Sequence, residues 1–233
     1  MKFGSIGDTH GRPYWKKFVE NNPQIDKWVL IGDFPDSNKY KPIEVVYNLK
    51  EIIHFKKTNP DKVILLLGNH CIQYYFFPNY RCSGFQNSIA YELQQLYLEN
   101  KHLFQVAYQH KNYIWTHAGI SNRWYDKHKD EIESVRKRIG ATNIAECLNY
   151  INGTKEAHIL HEISHHRGGI MNAGGITWAD FKETFNDALV GYKQVCGHTS
   201  VKHIQMIGDD KTNITYIDCL GTVEDFYKLE IND

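Results

Sequence analysis

Five short segments of this sequence carry side chains suited to binding a metal ion, and each stands directly after a short apolar run. They are Gly7-Asp8-Thr9-His10-Gly11, Gly32-Asp33-Phe34-Pro35-Asp36, Gly68-Asn69-His70, His117-Ala118-Gly119 and Gly197-His198-Thr199. Asp8, His10, Asp33, Asn69, His117 and His198 together make a mixed nitrogen and oxygen donor set. That set suits Mn²⁺, Fe or Zn²⁺ better than Ca²⁺, which favours all-oxygen shells, or structural Zn²⁺, which favours thiolates. A carboxylate at its centre can bridge two divalent ions about 3.5–4 Å apart. Such a pair brings hydroxide within reach of neutral pH and neutralises charge that develops on a phosphoryl group. His70, next to a candidate ligand, is placed to act as a general acid toward a leaving alkoxide, and Asp36 to orient it.

Singly, these residues have plainer readings. Asp8 would cap a helix, Asp33 and Asn69 would be turn residues, and His117 and His198 satisfied interior histidines. Five such strand-end clusters in one chain point instead to chemistry.

The elements that would position them follow from the apolar runs. Phe3–Ile6, Trp28–Ile31, Val63–Leu67, Tyr113–Thr116 and Gln194–Cys196 are expected strands of one sheet, delivering ligands to a common edge at their carboxyl ends. Helices are expected from Pro13, over Ile43–Lys57 and over Ser88–Asn100, which makes the first part βαβαβ with parallel strands. Residues 71–88 read as irregular and aromatic. The stretch 120–190 reads as an α-rich insert, with Tyr125–Arg138 a charged, wet helix and Ile144–Ile151 a short one. After Gln194–Cys196, the runs Val201–Ile207, Asn213–Asp218 and Phe226–Ile231 suggest an antiparallel meander. The expected fold class is α/β over a single domain, 1–233.

In order and spacing, the five motifs resemble the blocks of the calcineurin-like metallophosphoesterases. The branch they resemble is the phosphoprotein-phosphatase-like one, with its small phage and bacterial serine/threonine phosphatases and diadenosine tetraphosphatases. Gly197-His198-Thr199 followed by Tyr216-Ile217-Asp218 also looks like that branch. The resemblance implies a β-sandwich flanked by helices and a centre of two divalent transition metals, Mn²⁺ first, with Fe or Zn²⁺ as alternatives. It implies Asp8, His10 and Asp33 as ligands of the first metal, Asp33, Asn69, His117 and His198 as ligands of the second, and His70 with Asp36 behind it as the catalytic acid. Ser200 stands where relatives with a Gly-His-x-His block have a further histidine, as in the protein phosphatase branch.

Two positions depart from that branch. Ser37 stands where an arginine would clamp the phosphate bidentately, and Cys71 where an acidic residue usually follows Asn-His. Arg81 and Arg167 are the candidate replacements for substrate binding.

The activity implied is hydrolysis of a phosphomonoester on a small molecule, nucleotide or phosphoprotein. The alternatives are a dinucleotide polyphosphate or phosphodiester substrate, for which Tyr74, Tyr75, Phe76, Phe77, Tyr80 and Phe85 could stack on a base, and a non-catalytic scaffold of the same fold. Packing of an irregular loop explains those aromatics equally well. His158, His161 and His165, spaced i, i+3 and i+7, could hold a third metal or line a solvated helix face.

Composition sets the outer limits. With 27 basic and 27 acidic residues the net charge is zero, so no general field attracts nucleic acid or anionic membrane. No stretch approaches the roughly 18 apolar residues that crossing a membrane takes. The chain reaches Asp8 too early for a cleaved signal peptide. Five cysteines without a C-x-x-C pair argue for reduced thiols. A cytoplasmic protein is expected.

Overall fold

In the computed structural model, which describes residues 1–232, the elements run β1 (Lys2–Ile6), α1 (Tyr14–Glu20), β2 (Lys27–Leu30), α2 (Pro42–Thr58), β3 (Val63–Leu66), α3 (Asn69–Tyr75), α4 (Ala90–Glu99), β4 (Phe104–Gln105), β5 (Ala107–His110), β6 (Tyr113–Thr116), α5 (Asn122–Ile139), α6 (Ile144–Asn152), α7 (Phe181–Thr184), β7 (Lys193–Cys196), β8 (Gln205–Gly208), β9 (Asn213–Tyr216) and β10 (Tyr227–Glu230). The fold is mixed α/β, with two five-stranded sheets flanked by helices. Two compact units divide the chain, Met1–Gln105 with the segment from Asp218 onward, and Val106–Ile217.

The first unit carries the sheet β10-β1-β2-β3-β4. Strands β1, β2 and β3 are parallel, so Asp8, Asp33 and Asn69 all follow strand ends on one edge. Buried Phe3, Trp28, Leu30, Leu49 and Leu65 fill its core. Gly4 is required there, because a Cβ at that position would lie 2.4 Å from the Trp28 ring. Helix α2 begins with Pro42 at its first position, where no N–H is needed, and Glu44 accepts a 2.8 Å hydrogen bond from the Lys41 N–H.

The second unit carries β5-β6-β7-β9-β8. Strands β6 and β7 are parallel, which brings His117 and His198 to the same edge of that sheet. Helix α5 buries Trp124, His128, Ile132 and Val135 along one stripe. The Ser121 side chain caps its start, accepting from the Trp124 N–H, and left-handed Gly140 closes its end.

Four expectations are corrected. The five ligand-bearing strands do not share one sheet: β1, β2 and β3 belong to one, β6 and β7 to the other. An apolar run signals burial and says nothing about which strand it pairs with. The expected meander stops after the β8–β9 hairpin, and β10 instead pairs antiparallel with β1, where buried Phe226 packs on Phe18 and Trp28 at 5.0 and 5.1 Å. Residues 69–75, largely expected to be irregular, form α3, whose Asn69, Cys71, Ile72, Gln73 and Tyr74 are all buried. A helix buried nearly all round shows no amphipathic period to read. Finally, His158, His161 and His165 share no helix face. They lie on two separate 3₁₀ turns, Lys155–His161 and His165–Arg167, with His161 buried against the Thr177 hydroxyl at 3.0 Å and the other two exposed.

Candidate active site

In the first unit, donor atoms of His10, Asp33 and His70 lie within 4.8 Å of one another. Backbone groups hold His10 and Asp33. The Nδ1 of His10 stands 2.9 Å from the Pro35 carbonyl and 2.8 Å from that of Asp36. Carbonyls only accept, so Nδ1 carries the proton and Nε2 of the neutral ring keeps a lone pair for a cation. Asp33 Oδ1 accepts from the His70 N–H at 2.9 Å. Asp8 is buried at the end of β1, and buried Asn69 opens α3.

His70 Nδ1 lies 2.8 Å from Asp36 Oδ2, which leaves Nε2 as the nitrogen turned away from that carboxylate. Burial alone would push the imidazole down, but the Asp33 charge and the hydrogen bonds to Asp36 and Cys82 outweigh it and push its pKa up to about 11. Gln73 and Tyr74 also donate to Asp36.

The sequence pattern singles out neither Gln73 nor Cys82, and marks Tyr74 only as an aromatic that could stack on a base. The Cys82 Sγ stands 3.8 Å from both Asn69 Nδ2 and His70 Nδ1, although twelve or more residues separate them. Had α3 been recognised, the i, i+3 and i+4 spacing of His70, Gln73 and Tyr74 would have placed all three on one helix face.

In the second unit, His117 Nε2 and His198 Nδ1 are 3.2 Å apart, and the Gly197 N–H donates to the His117 carbonyl at 2.8 Å. Trp178 meets the His198 ring edge to face at 5.7 Å. Arg167 reaches this segment: its Nη2 donates to Thr199 Oγ1 at 3.0 Å, and its Nε pairs with Asp180 at 2.7 Å. Arg81 instead lies over the rings of Phe85 and Phe77, at 4.6 and 5.6 Å. Phe85 stacks with Tyr74 and Phe77, so these aromatics pack on each other. Ser37 turns its hydroxyl to the N–H groups of Lys39 and Tyr40, each at 3.1 Å.

His10, Asp33, Asp36 and His198 all have left-handed backbone, with φ of 44°, 48°, 61° and 62°. Left-handed non-glycine residues carry strain of order 1–3 kcal/mol and gather at functional sites. Within the first unit, the Nε2 lone pair of His10 and the Asp33 carboxylate are donors of the kinds a borderline divalent metal prefers. Among the described residues, no helix is long and apolar enough to cross a membrane.

No curated protein matches the sequence. Among solved structures, the chain is similar to a cold-active protein-tyrosine phosphatase of a psychrophilic Shewanella, at 17% identity and a TM-score of 0.57, covering 98% of this chain and 75% of that one. A mutant cold-active protein tyrosine phosphatase matches at 17% identity and a TM-score of 0.58 over the same shares. At these identities the likeness speaks for the fold alone. The sequence model of the calcineurin-like phosphoesterases matches residues 1–202, and the chain belongs to that family of metal-dependent hydrolases.

Proposed function

We propose that this phosphoesterase hydrolyses phosphomonoesters at two divalent metal ions, with Mn²⁺ the preferred metal. In this reading Asp8, His10 and Asp33 serve the first ion, and Asp33, Asn69, His117 and His198 the second. When bound, the ions supply a nucleophile near neutral pH and neutralise phosphoryl charge. His70 protonates the leaving oxygen from Nε2, while Asp36 holds Nδ1 and so fixes the tautomer. Arg167 steadies a phosphoryl oxygen. The observation that carries the reading is the His70–Asp36 hydrogen bond of 2.8 Å beside the His10–Asp33 donors.

The monoester reading is preferred over a dinucleotide because Phe85 is already stacked with Tyr74 and Phe77. The substrate is a phosphorylated small molecule, nucleotide or phosphoprotein. Cytoplasmic residence accords with five free cysteines. The test compares kcat/KM for p-nitrophenyl phosphate, its bis-ester and diadenosine tetraphosphate with Mn²⁺, alongside metal analysis. Higher efficiency on the bis-ester or the tetraphosphate would sink the monoester assignment. Protein that binds no metal and turns over none of the three would be a scaffold instead.

A further inference from the structure

We propose that Gln73 and Tyr74 are positioning residues that hold Asp36, and through it His70, in register with the loop 82–86. The inference rests on the reading of His70 as the acid. Asp36 Oδ2 accepts from His70 Nδ1 and from Gln73 Nε2, and Oδ1 accepts from the Tyr74 hydroxyl. Three donors thus fix a carboxylate whose residue is 6% exposed, at a backbone φ of 61°.

The far ends of the two side chains settle their direction. Gln73 Oε1 accepts from the Cys82 N–H at 3.0 Å, so its amide nitrogen must face Asp36. The Tyr74 oxygen accepts from the Gln86 N–H at 2.8 Å, so its own proton goes to Asp36. Each side chain therefore joins a backbone N–H of the loop to the carboxylate that orients His70. Both are fully buried. Packing alone does not call for this arrangement, since a phenylalanine would stack on Phe85 as well as Tyr74 does and needs no hydroxyl.

The test pairs Tyr74→Phe and Gln73→Met with Asp36→Asn. Both replacements keep side-chain volume, and thermal melts confirm folding. With p-nitrophenyl phosphate and Mn²⁺, each single variant should lower kcat by about tenfold, a fraction of what general acid catalysis contributes, with KM within about twofold. In the Asp36→Asn background that further loss should vanish, because residues acting through one partner are not additive. In metal-free protein, the ¹⁵N shifts of the His70 ring should move in each single variant. Wild-type kcat in Tyr74→Phe, or losses that multiply fully in the Asp36→Asn background, would overturn the inference. Unchanged His70 shifts would overturn it whatever the kinetics. If the wild-type protein hydrolyses no phosphoester, the proposed function falls, while the ring shifts still decide whether these residues position His70.

Discussion

Gly32 and Gly68 meet backbone to backbone: a Cβ on Gly32 would lie 2.5 Å from the Gly68 nitrogen, and Gly32 has a φ of +110°. The loops that present Asp33 and Asn69 can approach this closely only because Gly32 carries no side chain at the crossing. Gly32→Ala should cost about 2–3 kcal/mol or more through strain and steric overlap. At the roughly 2–4 °C per kcal/mol expected for a chain of this size, its Tm should fall by at least about 4 °C. A melt unchanged from wild type would show that the two loops can separate without cost.

On the proposed function, Asp33→Asn should abolish activity, lowering kcat by more than about a hundredfold, because the carboxylate proposed to serve both ions is lost. Asn accepts left-handed backbone readily, so the φ of 48° should persist. Elemental analysis should find less metal per chain while circular dichroism stays at wild type. Full metal content with full activity would remove Asp33 from the ligand set.

The two arginines should separate kinetically. Arg167 ties to Thr199, next to His198, so Arg167→Ala should lower kcat/KM by about 10–100-fold, chiefly through KM. Arg81 covers Phe85 and Phe77, so Arg81→Ala should cost about 0.5–1 kcal/mol of stability and leave kcat/KM within about threefold. Equal kinetic losses in the two would make Arg81 a phosphate ligand as well.

His161 gives an acid-side prediction. Burial, helped by the charge of His158, pushes its pKa down from 6.5 to about 3. Above pH 6.5 the ring is neutral in the folded and unfolded chain alike, and its stabilising contribution is complete. As pH falls from 6.5 toward 3, only the unfolded chain takes up the proton, so stability drops by up to about 1.4 kcal/mol per pH unit from this group. Urea unfolding at several pH values should give a shallower slope for His161→Gln than for wild type. Identical slopes would mean that the ring is protonated in the fold.

Much of the site could be read from the chain because its ligands follow strands whose β-branched and leucine content is local information. Trp28–Ile31 and Val63–Leu67 overlap β2 and β3, and the ligand turns come directly after them. The helical period over Ile43–Lys57, which overlaps α2, and the Pro13 that stands just before α1 were equally local. Sheet partnership was not: β10 joins β1 across more than two hundred residues, because Phe226 finds Phe18 and Trp28. The contacts of Gln73, Tyr74 and Cys82 were hidden for a related reason. The helix of Gln73 and Tyr74 is buried on nearly every side, and their partners come from the turn at Asp36 and the loop that begins at Cys82, neither of regular pattern.

The left-handed backbone at His10, Asp33, Asp36 and His198 bears on how inactive forms of this protein should be made. Alanine at these places would remove a side chain of the proposed centre, a ligand at three of them and the partner of His70 at Asp36, and penalise the turn together, so a lost signal could not be traced to either. Asparagine keeps the turn within its natural range and changes only the donor. A panel of asparagine replacements would therefore yield substrate-trapping proteins with their architecture intact, ready for fishing out the physiological phosphoester.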